Sequence, residues 1–230
     1  MKICGLQKLS LVDYEGTLAA TVFTGGCNFR CPFCHNAPLV LRPEQEKEIP
    51  EDELLDFLRS RKGKLTGVVV SGGEPLINDD VDGLIEKIRA LGYKVKLDTN
   101  GSFPDRLKRI LDKKLVDYVA MDIKNSREGY ARTVGIKGYD VSTVEQSAET
   151  LMSGNTPYEF RMTLVRELHT EDDIISIGKW LKGAKILYLQ HFVDSGDLVG
   201  TGFSGVSKSD TEKYAEILRK YIGKVEIRGF

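Results

Sequence analysis

Short apolar runs alternate with stretches in which apolar residues recur every three or four positions, and the alternation repeats about six times along the chain. The runs Leu18–Thr24, Leu65–Ser71, Tyr93–Asp98, Val116–Ile123, Tyr158–Val165 and Ile186–Phe192 predict β-strands. Between them, Leu54, Leu55 and Leu58 behind the acidic Glu51, Asp52 and Glu53 predict a helix. Val81, Leu84, Ile85 and Ile88 predict the next, capped by Asp79 and ended by Gly92. Pro104 opens a helix through Leu107, Ile110 and Leu111, Val141 to Met152 forms another, and Thr170 with Asp173 makes a capping box for a helix ending near Trp180. A last helix runs from about Ser209 to Tyr221. Leu9–Asp13 and Val225–Phe230 predict short extended segments. Pro38, Pro43 and Pro50 predict an irregular connection up to about Ile49, and the glycines of Asn125–Gly138 predict a mobile one.

This order of elements predicts an α/β fold with a parallel sheet and right-handed crossovers. Too few units are present for a closed eightfold barrel, so the expectation is an open, partial (β/α)6 barrel with its site at the C-terminal ends of the strands. A chain of 230 residues predicts one domain, residues 1–230, with a core of about 10–191 and a C-terminal extension of about 192–230. A formal net charge of -1 offers no electrostatic attraction for nucleic acid or an anionic membrane. No run approaches the ~20 apolar residues of a membrane span, and a cytoplasmic location is expected.

Cysteine changes the picture. Three of the four cysteines fall in Gly25-Gly26-Cys27-Asn28-Phe29-Arg30-Cys31-Pro32-Phe33-Cys34-His35, with spacing C-x3-C-x2-C. Clustered thiolates select zinc or an iron-sulfur cluster. A closed zinc site takes four ligands, usually as two separated pairs, and His35 follows Cys34 too directly for easy shared ligation. A cubane cluster fits better, because each thiolate holds its own iron and the fourth iron stays open to another ligand. A zinc-binding module and an iron-sulfur electron carrier remain the alternatives to an enzyme. Cys4, far from the trio, reads as a small packing residue.

The trio, with an aromatic residue before its last cysteine, resembles the signature of the radical S-adenosylmethionine (radical SAM) enzymes, in which the cofactor's amino and carboxylate groups bind the open iron. Phe33-Cys34-His35-Asn36 is similar to the run found in glycyl-radical-enzyme activating enzymes. The resemblance implies a [4Fe-4S] cluster on Cys27, Cys31 and Cys34, with Phe33 beside it, and reductive cleavage of SAM to a 5'-deoxyadenosyl radical that abstracts hydrogen. Gly72-Gly73-Glu74 resembles the segment that holds the SAM amino group; independently, two glycines at a strand end let a backbone approach a ligand. Asp98-Thr99 and Asp122 with Lys124 resemble motifs around the methionyl end, sometimes with a monovalent cation, here near Asp98 and Asp122. By the same resemblance, Arg161 meets the SAM carboxylate and His191 the nucleoside. Read without it, these are strand-end charges and a strand-end histidine.

Ser10-Leu11-Val12-Asp13-Tyr14 and Phe23-Thr24-Gly25-Gly26-Cys27 look most like the anaerobic ribonucleoside-triphosphate reductase activating proteins, whose substrate is a backbone glycine of a partner enzyme. This implies a glycyl radical enzyme as partner and flavodoxin or ferredoxin as electron donor. No cysteine lies between Cys34 and Gly72, so one cluster is expected. The chain is longer than the simplest of these activators, which leaves pyruvate formate-lyase or another target open. A small-molecule radical SAM enzyme, such as one contracting a pterin ring, is the enzyme alternative. The glycine-rich span Ser195–Gly205 reads as a flexible lid.

Overall fold

The computed structural model describes residues 1–194 and 196–230. Its frame is one eight-stranded sheet in which the strands lie side by side in chain order. β1 (Ile3–Ser10) runs antiparallel to β2 (Ala19–Thr24). All later neighbours pair in parallel: β3 (Gly67–Gly72), β4 (Lys94–Thr99), β5 (Tyr118–Asp122), β6 (Tyr158–Leu164), β7 (Ile186–His191) and β8 (Lys224–Arg228). Among the described residues no ladder joins β8 to β1, so the barrel is open. The six expected strands are present, and the sheet gains one at each end. β1 begins at Ile3, ahead of the expected Leu9–Asp13 segment, and β8 extends the sheet from within the C-terminal extension.

Helices connect the parallel strands: α1 (Ala37–Leu41) and α2 (Glu51–Ser60), α3 (Val81–Ala90), α4 (Pro104–Asp112), α5 (Arg127–Val134) and α6 (Ser142–Ser153), α7 (Glu171–Trp180), and α8 (Lys208–Leu218). Each turns an apolar stripe to the sheet: Leu54 and Leu58 from α2, Leu84, Ile85 and Ile88 from α3, Leu107 and Ile110 from α4. Strand alternation decides what meets these helices. Val95 and Leu97, Val119 and Met121, Phe160 and Met162, and Leu187 and Leu189 belong to this core. The intervening residues face the inside of the barrel and are polar: Lys96 and Asp98, Tyr118 and Asp122, Glu159, Arg161 and Thr163. At the other end of the barrel Tyr14, Ala19 and Val69 pack together with Tyr118.

Three local expectations change. Asp79 does not cap α3, which starts at Val81 after Asp80; Asp79 pairs with Arg106 instead. Residues expected as a mobile connection form α5, capped by the Ser126 hydroxyl, which accepts from the Gly129 N–H, and ended by Gly135 in the left-handed conformation (φ 69°). Part of the expected lid is tied down: the Gly200 N–H donates to the Pro32 carbonyl at 2.7 Å, and Val165 bridges to Gly205. Ser195, the first residue of that span, lies outside the described residues. The Thr170–Asp173 capping box is present at α7.

Candidate active site

The cysteine loop leaves β2 and is held by its neighbours' backbone. The Gly26 carbonyl accepts from the Glu74 N–H at 2.8 Å, and the Arg30 N–H donates to the Val134 carbonyl at 2.8 Å at the end of α5. Two glycines permit these approaches. A Cβ on Gly73 would lie 2.0 Å from the Gly26 carbonyl oxygen, and one on Gly135 would lie 2.3 Å from that of Arg30. The Gly73 hydrogen therefore serves the packing of the cysteine loop, while the turn itself also borders the cavity.

Cys27, Cys31 and Cys34 line one side of a cavity of about 450 Å³, within the ~300–1,000 Å³ usual for small-molecule sites. Burial pushes the Cys27 thiol up to about 11 and Cys31 up to about 12, and the Lys124 ammonium opposes the shift at both. Thiolates at these positions need a cation to hold their charge, which an iron-sulfur cluster supplies. The donor set, three soft thiolates on one loop with no fourth cysteine beside them, fits a cluster in which each sulfur takes a separate iron. Phe33 is buried at the loop, edge-on to Phe192 at 6.4 Å. His35 also borders the cavity, and its Nε2 hydrogen-bonds the Val193 carbonyl at 2.7 Å.

The cavity is also lined by Gly72, Gly73, Asp98, Thr99, Asp122 and Lys124, at or just after the ends of β3, β4 and β5, and by Arg161 midway along β6. Their charges interlock. Arg161 donates from Nε to Asp122 at 2.9 Å and from Nη1 to Asp98 at 3.1 Å, while Lys124 reaches Asp122 at 2.9 Å. Lys96 lies 3.4 Å from the other Asp98 oxygen, which makes no hydrogen bond among the described residues. Burial alone would raise Asp122, but Arg161 and Lys124 together hold its carboxyl at about 2. Asp98 and Asp122 thus face three cationic side chains. A monovalent cation between them would have to displace the Arg161 guanidinium, so the residues as arranged do not fit one.

Glu74 and His191 are not in the cavity wall. Glu74 is fully buried beneath the turn and accepts from the Leu76 N–H at 3.0 Å, the Thr99 hydroxyl at 2.8 Å and the Asn100 N–H at 2.6 Å. Burial pushes its carboxyl up to about 7 against these three donors. His191 points to the outer face of β7, with its ring 4.2 Å from that of Phe230, and the inward neighbour Gln190 borders the cavity instead. Period-two counting from Tyr188 would have selected Gln190. Sequence reasoning also missed Asn36, whose side chain donates to the Gly72 carbonyl at 3.0 Å, and His169, buried with Nε2 2.8 Å from the Lys124 carbonyl. Asn36 was visible as the last residue of the Phe-Cys-His-Asn run; His169 had no such signal.

A partial parallel barrel that carries a three-cysteine loop over a charged cavity defines the radical SAM class, and residues 21–181 match the Radical SAM superfamily. The chain belongs to that superfamily and is an enzyme of its type. Across 98% of its length, and 95% of the relative's, it is 30% identical to a Methanocaldococcus jannaschii protein provisionally named a glycyl-radical enzyme activating enzyme. A 7-carboxy-7-deazaguanine synthase of Hyperthermus butylicus is 36% identical over 92 residues, 40% of this chain and 38% of that one. Streptococcus suis SuiB, solved with bound S-adenosylmethionine, shares the fold with a TM-score of 0.66 at 15% identity. That match covers 91% of this chain, which spans about half the length of SuiB, 52%.

Proposed function

We propose that the protein activates a glycyl radical enzyme by abstracting hydrogen from a backbone glycine of that partner, with anaerobic ribonucleoside-triphosphate reductase as the partner. The observation that carries this reading is the near end-to-end likeness to the Methanocaldococcus jannaschii protein, over 98% and 95% of the two chains. The likeness to the deazaguanine synthase covers 40% of this chain and supports a small-molecule substrate less well.

In this reading Cys27, Cys31 and Cys34 hold a [4Fe-4S] cluster and SAM occupies the rest of the cavity. Together the two groups supply a low-potential electron and the hydrogen-abstracting radical chemistry. The chain binds and orients them. Backbone groups of Gly72 and Gly73 meet the SAM amino group, while Lys124 and Arg161 bring positive charge to its carboxylate. Asp98 and Asp122 fix those two cations in place, and Phe33 shields the cluster loop from water. Thr99 and Glu74 support the turn from below, and Gln190 takes the position first given to His191. A flavodoxin or ferredoxin supplies the electron, and a cytoplasmic setting keeps the thiols reduced.

Two measurements test this reading. After anaerobic reconstitution, Cys27→Ala, Cys31→Ala and Cys34→Ala should each lose the cluster's iron and sulfide, and Cys4→Ala should keep both. Mixed with SAM, reductant and the reductase, the wild type should produce a glycyl doublet in electron paramagnetic resonance (EPR). No doublet with the reductase or with formate-lyase partners, alongside turnover of a small metabolite, would reject the activating role.

A further inference from the structure

We propose that Asn100 is a positioning residue that donates a hydrogen bond to the Cys27 sulfur and raises the reduction potential of the cluster held there. Glu74 locks it in place. The inference rests on the cluster reading above and adds a residue that tunes the cluster without ligating it.

The two ends of an asparagine amide have nearly the same shape, so only its partners tell which end faces which way. Here the partners decide. The Ser102 backbone N–H has a proton to give and meets Asn100 Oδ1 at 2.9 Å, and the Ser102 hydroxyl donates to the same oxygen at 2.5 Å. The opposite end must therefore be the NH2 group. It donates to Asn28 Oδ1 at 3.0 Å and points at Cys27 Sγ, 3.8 Å away. Asn28 closes the ring by donating from Nδ2 to the Ser102 hydroxyl at 2.9 Å. Every polar atom of the three side chains is engaged, and Asn100 and Ser102 are only 5% and 9% exposed. Such a donor is already aimed before any charge arrives.

The backbone of Asn100 is fixed as firmly. Its N–H donates to Glu74 Oε2 at 2.6 Å, and the adjoining Thr99 hydroxyl donates to Oε1 at 2.8 Å. The Gly-Gly-Glu turn and the cysteine loop thus share one hydrogen-bond network through the turn after β4. Cys27 Sγ also accepts from the Phe29 N–H at 3.3 Å. Among the described residues neither Cys31 nor Cys34 accepts a hydrogen bond at sulfur. Hydrogen bonds to cluster sulfurs are one of the levers on potential. A donor favours the more negatively charged, reduced state, so losing it makes reduction harder. A bond that is long to a neutral thiol strengthens when the sulfur carries charge.

The test compares the wild type with Asn100→Leu, Asn100→Asp, Glu74→Gln and the Glu74→Gln/Asn100→Leu pair, all reconstituted anaerobically. Iron and sulfide are counted, and the cluster's midpoint potential is read by EPR-monitored redox titration. Both Asn100 variants should keep the cluster and shift its potential to more negative values, beyond the scatter of replicate titrations. Glu74→Gln should shift it less in the same direction. The double variant should go no further than Asn100→Leu, because the two residues act through one bond. A wild-type potential in an iron-loaded Asn100 variant overturns the proposal. Asn100→Asp keeps the oxygen that Ser102 needs, so loss of iron from both Asn100 single variants would make Asn100 an assembly residue and equally overturn tuning. Zinc in place of iron would sink the cluster reading itself, whereas an unchanged potential with iron present sinks only the role of Asn100.

Discussion

Glu74 occupies a place where a carboxylate is expensive. Its side chain is fully buried, and three donors are not enough to keep its proton affinity at the ordinary value, so the carboxyl stands at about 7 instead of 4.5. Between those two values the folded protein holds a proton that the unfolded chain releases. Stability from this group is therefore full below about pH 4.5 and declines as pH rises towards 7. Glu74→Gln removes the titration, and its stability should fall less steeply across that window, by up to about 1.4 kcal/mol per pH unit. Urea denaturation of both proteins at several pH values measures the difference; parallel curves would contradict it. The Gly-Gly-Glu motif was legible in the sequence, but the direction of its glutamate was not. A strand-end turn can send a side chain into the cavity or beneath it, and only the position of Thr99 and Asn100 decides.

At the scale of elements, α5 shows why the expected mobile connection became a helix. Gly129, Gly135 and Gly138 read as breakers, yet only Gly135 ends an element, and Ser126 supplies the cap that starts it. Gly135 and Gly138 share nearly the same backbone conformation, φ 69° and 68°, but nothing lies within 4 Å of a Cβ at Gly138. This pair separates strain from contact. Gly138→Ala should lose roughly 1–2 kcal/mol from the left-handed conformation alone and assemble its cluster normally. Gly135→Ala adds a collision with the Arg30 carbonyl, so it should lose clearly more stability and also iron content. Equal losses in urea unfolding and equal iron in the two variants would show that α5 does not position the cysteine loop.

On the scale of the whole molecule, the sheet is open between β1 and β8 among the described residues, and its last strand comes from beyond the expected core. β8 pairs with β7, and Arg228 on it reaches the buried Glu159 at 3.4 Å inside the barrel. Ala215, Leu218, Ile222 and Val225 are buried in the main core. Fully burying a large aliphatic side chain contributes about 1.5–3 kcal/mol, and a domain's net stability is only ~5–15 kcal/mol. Deleting residues 208–230 should therefore leave a protein that aggregates or melts far below the full chain. A truncated chain that stays monomeric in gel filtration with an unchanged melting temperature would show that α8 and β8 add nothing to the stability of the core.

The sequence by itself determined the alternation of strands and helices, the three-cysteine loop and the polar strand ends, because each depends on spacing within one short segment. Asp98, Asp122, Lys124 and Arg161 could be named from their own strands. Tertiary structure decided how they combine. That Arg161 bridges the two aspartates, that Gln190 and not His191 borders the cavity, and that Asn100 reaches Cys27 all depend on strand register and on which face of the sheet looks inward. Those relations are set between residues 39 to 73 apart in the chain, as from Asp122 to Arg161 or from Cys27 to Asn100. Local periodicity carries no information about them until the sheet brings the segments together.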